Sequence, residues 1–288
     1  MKPSAVQPLE VFKTVREYKV WRGSVKGTVG FVATLGALHE GHFSLIRRAG
    51  ELSDNVVVSI FVNPLQFGPK EDFGKYPRTL EADLDHCRKL GVKAVFHPSV
   101  EEIYPEGKDA CTKVIPPPEI ADVLEGSFRP GFFTGVATVV AKLFLIIEPD
   151  ITVFGEKDYQ QLVILKKMVR DLSIPVTLYS MATSRTEDSF ALSSRNAYLS
   201  EDQRHAAPKI YQALCSTAER IRANPAALEA AVEAGKKELE EDGIIHVQYL
   251  TVRDAETFEE VSRFDRKLVL LVAAKIGDVR LIDNIVLQ

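Results

Sequence analysis

Two histidines in the segment H-E-G-H, His39 and His42, have the types and spacing that most clearly allow chemistry. They lie between the apolar run Val29–Ala33 and the amphipathic run Phe43–Ala49, an order that predicts a strand, a glycine-containing turn and a helix. A strand that leads into a helix N-terminus presents free backbone N–H groups to a phosphate, and Gly41 lets that phosphate approach closely. We therefore expect nucleotide activation here. Surface histidines and half of a zinc site are the alternatives, although no further cluster of zinc ligands is evident.

A second candidate segment, F-V-N-P-L-Q-F-G, runs from Phe61 to Gly68. It overlaps the end of the β-branched run Asn55–Val62, which predicts a central parallel strand covered on both faces. Open α/β sheets bind ligands at the carboxyl ends of their strands. The side-chain amides of Asn63 and Gln66 suit hydroxyl and carboxylate groups. An ordinary loop in which Asn63-Pro64 starts a turn explains the same residues.

A third candidate segment, G-E-K-D, follows the predicted strand Ile151–Phe154. Lys157 offers a point charge to a phosphate, and Asp158 is able to cap a helix or hold a ribose hydroxyl. Gln161, one helical turn later, is expected to face the same cleft. A plain helix cap is the alternative interpretation.

A fourth candidate, L-S-S-R-N, spans Leu192 to Asn196. Its hydroxyl groups and its guanidinium form a suitable clamp for a polyphosphate. Serine-rich loops are also common without any function, and the sequence alone leaves both interpretations open.

A weaker fifth candidate begins with Y-P-R-T at Tyr76–Thr79 and continues into a predicted helix that carries Glu81, Asp83 and Asp85. A carboxylate at this place could hold Mg²⁺ beside phosphates. The helix dipole favours acidic residues in a first turn and explains them equally well.

The elements that must position these segments alternate between strand-like and helix-like runs through the first two thirds of the chain. This alternation predicts an α/β fold, a doubly wound parallel sheet with helices on both faces. After Ser200, two amphipathic helices, Gln203–Ala223 and Ala226–Glu241, precede three strand-like runs, a pattern typical of a smaller α+β domain. We place the domain boundary between residues 183 and 184, which gives domains over 1–183 and 184–288. The predicted strands are Val29–Ala33, Asn55–Val62, Ala94–Phe96, Ile151–Phe154, Pro175–Tyr179, His246–Val252, Lys267–Ala273 and Asp278–Val286, and the helices of the first domain are Gly41–Glu51, Leu80–Leu90, Thr134–Ile147 and Gln160–Asp171.

The composition of the 288 residues, 45% hydrophobic and 26% charged, is ordinary for a globular enzyme. A net charge of −4 gives no basic footprint, which disfavours a nucleic-acid partner. Three widely spaced cysteines indicate a reducing compartment rather than a disulfide framework. We expect no signal peptide in residues 1–10 and no membrane span, because no apolar run reaches about 18 residues.

The segments G-A-L-H-E-G-H, F-V-N-P-L-Q-F-G, G-E-K-D-Y-Q-Q-L and L-S-S-R-N, in this order, resemble the motifs of the pantothenate synthetase (pantoate–β-alanine ligase) family. That family belongs to the nucleotidyltransferases with an H-x-G-H signature. The resemblance implies a Rossmann-like first domain, a smaller C-terminal lid domain and a cytoplasmic homodimer. It also implies that ATP and pantoate give a bound pantoyl adenylate and pyrophosphate, with Mg²⁺ accompanying ATP. β-Alanine then attacks the adenylate to give pantothenate and AMP.

The same resemblance assigns roles to individual residues, with His42 as the proton donor. We expect no protein nucleophile, because in-line attack needs positioning more than covalent help. Cationic groups must hold the carboxylate and the triphosphate together and stabilise the departing pyrophosphate. The implied catalytic residues are His39, His42, Lys157 and Arg195; the ATP-binding residues are Leu35, Gly36, His39, His42, Gly155, Glu156, Lys157, Asp158, Ser184, Leu192, Ser193, Ser194 and Arg195; the residues for pantoate or β-alanine are Asn63, Gln66 and Gln161; and the magnesium-linked residue is Asp83.

The chain departs from the usual family pattern at a few positions. Ala33 stands where the family commonly has proline, and Leu35 where it has methionine of similar volume. Phe132 replaces the histidine of G-H-F-R-G, and Ser189-Phe190 replaces Gly-Leu. These changes bear on substrate affinity and not on the reaction class, because both histidines, the lysine and the arginine of the motifs are retained.

Two other functions stay open at this point. One is a different H-x-G-H adenylyltransferase that acts on a phosphorylated acceptor, but the neutral amides of Gln66 and Gln161 suit a small hydroxy acid better. The other is a catalytically silent nucleotide-binding module. An aminoacyl-tRNA synthetase is disfavoured by the acidic balance and by the lack of an evident anticodon-binding module.

Overall fold

The computed structural model describes residues 8–68 and 73–288. The chain forms two compact units: Met1–Gly155 with Ile164–Met181, and Glu156–Val163 with Ala182–Gln288. The second unit thus takes in an earlier stretch of chain, at residues 156–163, that no change in composition marks. Residues 1–7 lie outside the described part of the chain. They belong to the segment in which we expect no signal peptide.

The first unit is built on a six-stranded parallel sheet with the strand order β1-β4-β3-β2-β5-β6. From β2 the chain moves outward through β3 and β4 and then returns to β5 on the other side of β2, where Phe31 pairs with Thr152. This reversal makes the carboxyl ends of β2 and β5 the topological switch point, where open α/β sheets bind ligands. The strands are β1 (Glu10–Phe12), β2 (Val29–Thr34), β3 (Asn55–Ile60), β4 (Ala94–Phe96), β5 (Ile151–Gly155) and β6 (Thr177–Met181).

Helices cover the central strands on both faces. Successive strand residues point to opposite sides of the sheet, so neighbouring residues pack against different helices. Phe31 meets Phe144 edge-on, with ring centroids 6.3 Å apart, while its neighbour Val32 packs in a cluster with Ile46 and Leu84. The apolar runs of the sequence therefore correspond to strands buried on both faces. The helices are α1 (Val15–Ser24), α2 (Glu40–Leu52), α3 (Leu80–Lys89), α4 (Val100–Ile103), α5 (Pro118–Ala121), α6 (Glu125–Phe128), α7 (Phe132–Ile147) and α8 (Tyr159–Asp171), with 3₁₀ turns at Pro64–Gln66, Phe73–Lys75 and Glu156–Asp158.

The second unit packs helices against a three-stranded antiparallel sheet of order β7-β8-β9. Leu214 and Ile221 of the second of its three C-terminal helices share a core cluster with Leu270 and Val272 of the central strand. The elements are α9 (Glu201–Ala206), α10 (Pro208–Ala223), α11 (Leu228–Glu240), β7 (Ile245–Asp254), β8 (Leu268–Ile276) and β9 (Val279–Leu287), with a 3₁₀ turn at Ser194–Tyr198.

The predicted fold class, a parallel α/β sheet with a smaller α+β part, is confirmed. The predicted helix Gln203–Ala223 was wrong in one respect, because it is divided at Ala207 and Pro208 starts α10. Proline has no N–H for an internal helix bond but is well placed at a first helical position. The sequence patterns did not predict β1 or α1. Within 8–68 and 73–288, no helix is long and apolar enough to cross a membrane.

Candidate active site

The turn after β2 is shaped by Thr34 and Gly36. The Thr34 hydroxyl donates to the Ser59 carbonyl at 2.7 Å and accepts from the Gly36 N–H at 3.2 Å. Gly36 has φ +89°, and a Cβ there would lie 3.2 Å from Ile60 and 3.3 Å from the Asp83 carboxylate. Both the backbone conformation and the close approach therefore call for glycine at this position of the motif.

Asp83, at the start of α3, holds the same turn in place. Its Oδ2 accepts from the Ala37 N–H at 3.0 Å and its Oδ1 from the Leu38 N–H at 2.8 Å, while the Thr79 hydroxyl lies 3.3 Å from both oxygens. The residue is only 2% exposed, and Ala37 is held at φ +51°. Ala37 adopts a left-handed conformation that is unfavourable for alanine, so the carboxylate offsets a local cost.

Asp83, which the family resemblance links to magnesium, is poorly placed to bind the ion directly. Both carboxylate oxygens already accept backbone hydrogen bonds, and the side chain is buried. Across the described ranges, no group of three His, Cys, Asp or Glu residues is arranged to hold a metal ion. The geometry instead supports a role in positioning the H-x-G-H turn.

His39 and His42 cap the N-terminus of α2 with their rings. His39 Nδ1 accepts from the Gly41 N–H at 3.2 Å, and His42 Nδ1 accepts from the His39 N–H at 3.3 Å. The two ring centroids are 4.1 Å apart. Because each neutral ring accepts at Nδ1, its proton resides on Nε2. Both rings therefore lie at the N-terminus of α2, where the helix dipole favours negative charge.

Cys87 also lies on α3, one turn after Asp83. Burial, assisted by the Asp83 carboxylate, raises the pKa of the Cys87 thiol to about 12. A thiol of this kind stays protonated at neutral pH and is inert.

Asn63, which the resemblance places in the pantoate pocket, is fully buried, with 0% exposure. Its Oδ1 accepts from the Tyr104 hydroxyl at 2.8 Å and from the Leu65 N–H at 3.3 Å. Its Nδ2 donates to Gln66 Oε1 and to the Gly135 carbonyl, both at 3.1 Å. Asn63 therefore binds the side-chain oxygen of Gln66, the predicted pantoate residue. Tyr104 was missed in the sequence, where no pattern connects it to a motif.

Arg129 fixes the backbone of Gln66. Its guanidinium donates to the Gln66 carbonyl at 3.0 Å and lies over the Phe132 ring, 3.6 Å from the centroid. Phe132 thus makes a cation–π contact with Arg129. Gly135 completes this arrangement, because a Cβ there would lie only 2.3 Å from the Leu65 carbonyl oxygen. The sequence analysis noted Phe132 but gave no signal for Arg129.

In the second unit, the turn Glu156–Asp158 is bound to β9. Asn284 Nδ2 donates to the carbonyls of Glu156 and Lys157, at 2.8 and 2.9 Å. Lys157 lines a small, partly open cavity whose walls also include predicted phosphate-binding residues. The cavity is lined by Lys157, Phe190, Ala191, Ser193, Arg195, Asn196, Ile210, Arg280, Leu281, Ile282 and Asp283.

The charged groups around this cavity favour an anion. Three of its lining residues are basic, Lys157, Arg195 and Arg280, and one is acidic, Asp283. Arg185, which does not line the cavity, neutralises Asp283 through two contacts of 2.6 and 2.8 Å. The cavity is therefore cationic, as a polyphosphate site requires.

The remaining predicted residues of the second unit lie on the loop before α9. Ser193 caps the 3₁₀ turn by accepting from the Arg195 N–H at 3.3 Å, and the Ser184 carbonyl accepts from the Leu192 N–H at 3.0 Å. The structure thus gathers Lys157, Ser193 and Arg195 at one cavity. It pairs Ser184 with Leu192 through the backbone. The half-buried Gln161 and the exposed Asp158 are not among the residues that line the cavity.

Comparisons with known proteins cover nearly the whole chain. The family model described as pantoate-beta-alanine ligase matches residues 10–286. The chain belongs to this family. Pantothenate synthetase from Pseudomonas paraeruginosa is 48% identical over 280 residues, which cover 96% of this chain and 98% of the relative. The enzyme of the same name from Neisseria meningitidis serogroup C is 46% identical over 277 residues, or 96% and 98% of the two chains.

Solved structures of family members show the same fold. Pantothenate synthetase from Thermus thermophilus superimposes with a TM-score of 0.89 at 43% identity, over 96% of this chain and 98% of that one. Pantoate-beta-alanine ligase from Francisella tularensis gives a TM-score of 0.78 at 35% identity, over 96% and 97% of the chains. The Francisella structure is a complex with beta-gamma ATP and beta-alanine. The family resemblance read from the four sequence motifs is confirmed.

Proposed function

We propose that this chain condenses pantoate with β-alanine to pantothenate, at the expense of ATP, through a pantoyl adenylate. The observation that carries this proposal is the pair of histidines whose rings cap the N-terminus of α2, at the carboxyl end of a central strand. Membership of the ligase family supports it, as does the complex of the Francisella tularensis relative with beta-gamma ATP and beta-alanine.

In the first step, a pantoate carboxylate oxygen attacks the α-phosphorus of ATP, and the bond to the bridging oxygen of pyrophosphate breaks. Negative charge grows on the phosphate oxygens, and the Nε2–H groups of His39 and His42 are suited to stabilise it. We propose that Lys157 and Arg195 hold the phosphates of ATP. Their cationic cavity supports this assignment.

In the second step, the amine of β-alanine attacks the acyl carbon of the adenylate and releases one proton to solvent, and AMP leaves with the bonding electron pair. Gln66 and Gln161 hold pantoate by neutral hydrogen bonds, so neither adds a charge that would compete with the phosphates. The protein contributes positioning and charge stabilisation, and no covalent intermediate with the protein is needed.

Magnesium enters this proposal as the ion that accompanies ATP, as the family resemblance implies. We assign it no protein ligand, because Asp83 does not fit that role. Three further predictions also rest on the resemblance: residues 184–288 acting as a lid that excludes water from the adenylate, the homodimer and the cytoplasmic location. The three cysteines, which form no disulfide in the described structure, support the last of these.

Oxygen labelling tests the proposed reaction directly. Pantoate labelled with ¹⁸O in its carboxylate is incubated with ATP and β-alanine, and the products are analysed by mass spectrometry. Attack on the α-phosphorus places one labelled oxygen in AMP. Label in a cleaved phosphate, or formation of ADP, would contradict the adenylate. Turnover with a phosphorylated acceptor in place of pantoate would support a different adenylyltransferase.

A further inference from the structure

We infer that Tyr104 is a positioning residue that acts through Asn63 to fix the side-chain amide of Gln66, so that Gln66 meets its substrate as a hydrogen-bond donor. The inference rests on the proposed function, in which Gln66 binds pantoate. It adds a residue to the machinery and gives a direction to a hydrogen bond that residue type alone leaves undefined, because an amide can donate or accept.

The hydrogen bonds from Tyr104 through Asn63 to Gln66 form a relay, and its first link is the Tyr104 hydroxyl. Tyr104 is 2% exposed, and its hydroxyl donates to Asn63 Oδ1 at 2.8 Å. Burial raises the pKa of Tyr104 above its ordinary value, so the hydroxyl keeps its proton and remains a donor at any pH where the protein works.

The second link is Asn63, whose amide has only one favourable orientation. Two donors, the Tyr104 hydroxyl and the Leu65 N–H, face its Oδ1. Two acceptors, Gln66 Oε1 and the Gly135 carbonyl, face its Nδ2. A flipped amide would set donor against donor and acceptor against acceptor in a fully buried place, which is costly.

The third link is Gln66 itself. Its Oε1 accepts from Asn63, and Nε2 has no hydrogen-bond partner among the residues that the structure describes. The backbone of Gln66 cannot move easily, because Arg129 binds its carbonyl and Gly135 packs against the same turn. Gln66 therefore offers two N–H donors, which recognise oxygen lone pairs such as those of a carboxylate or a hydroxyl group.

A pair of tyrosine substitutions tests the relay. Tyr104→Phe removes the first donor, and Tyr18→Phe is the matched control, because the Tyr18 hydroxyl is also buried and donates to the Ile147 carbonyl at 3.1 Å. We expect Tyr104→Phe to raise the KM for pantoate about three- to tenfold, as the loss of one hydrogen bond suggests, and to leave the KM for ATP unchanged. Tyr18→Phe should change neither. Equal effects of the two substitutions would overturn the inference.

A double-mutant cycle tests whether Tyr104 acts through Gln66. We expect Tyr104→Phe to have no further effect on the KM for pantoate once Gln66→Ala is present, because the side chain through which Tyr104 acts is then missing. The same fold-change in both backgrounds would show that Tyr104 acts by another route and would overturn the relay.

A measurement without turnover separates the relay from the proposed function. The Gln66 side-chain amide is observed by ¹H–¹⁵N NMR and identified by its loss in Gln66→Ala. We expect its signals to shift in Tyr104→Phe and to stay in place in Tyr18→Phe, whatever the substrate is. Unshifted signals in Tyr104→Phe would overturn the relay. Absence of pantoate-dependent turnover in the unsubstituted protein would count against the proposed function alone.

Discussion

The chemistry of the two histidines depends on which ring nitrogen binds the backbone, a detail that the motif does not contain. Residue types and the H-x-G-H spacing predict a phosphate site at a helix start, and the structure has that helix start. The sequence could not predict which ring nitrogen is bound, because that depends on the backbone N–H groups that donate to Nδ1 of His39 and His42. Spacing alone does not distinguish a cap through Nδ1 from one through Nε2.

Substitutions of His42 test the assigned donor. His42→Ala removes the Nε2–H group and should lower pantoate-dependent pyrophosphate–ATP exchange by roughly tenfold to a thousandfold. His42→Gln retains an N–H donor at a similar distance from the backbone and should lose less. Exchange rates under saturating substrates decide the order, and a near-normal rate in His42→Ala would refute the role.

Ser189 provides a prediction about stability at a position where the family commonly has glycine. Its φ of +68° is left-handed, a conformation that L-residues adopt at a cost. Ser189→Gly should therefore stabilise the protein by about 1 kcal/mol, and Ser189→Ala should not. Urea unfolding compares the two variants, and an equal or lower midpoint for Ser189→Gly would contradict the expected strain.

At the scale of elements, α3 and α7 support the turns that carry the predicted ligand-binding residues. Long apolar runs made β2, β3 and α7 predictable, because strand and helix periods show clearly in buried segments. The short β1 and the polar α1 gave no such signal. Residues that act across elements, such as Tyr104 and Arg129, could not be found either, because their partners are distant in sequence and depend on how the chain packs.

The support that α3 gives to the H-x-G-H turn can be separated from metal binding. Asp83→Asn keeps one acceptor but sets an NH₂ group against a backbone N–H, which should cost about 1–3 kcal/mol of stability and lower exchange activity. The Mg²⁺ concentration for half-maximal activity should not change. A raised Mg²⁺ requirement with full activity at saturating Mg²⁺ would instead restore Asp83 as a metal ligand.

The support that α7 gives to the Gln66 turn depends on Gly135. Gly135→Ala would place a methyl group against the Leu65 carbonyl and should destabilise the protein by about 1–3 kcal/mol while raising the KM for pantoate. Gly23→Ala in α1 is the control, because nothing lies within 4 Å of its Cβ, and it should be neutral or slightly stabilising. Thermal unfolding and pantoate saturation curves compare the two, and the same result for both would contradict the close packing.

For the whole molecule, the net charge is a poor guide to the site. The chain carries a net charge of −4, yet a cavity of its second unit gathers Lys157, Arg195 and Arg280 around one neutralised carboxylate. Overall charge disfavoured a nucleic-acid surface in the sequence analysis, but only the fold shows where cations cluster. The placing of residues 156–163 in the second unit was equally invisible, because local periodicity does not report which unit a helix start joins.

The central claim is that pantoate is activated by ATP before β-alanine takes part. Exchange of labelled pyrophosphate into ATP, with Mg²⁺ and without β-alanine, tests it most directly. We predict exchange that depends on added pantoate, because only a reversible adenylation returns pyrophosphate to ATP. Exchange without pantoate, or none with pantoate although ATP binds, would contradict the adenylate mechanism.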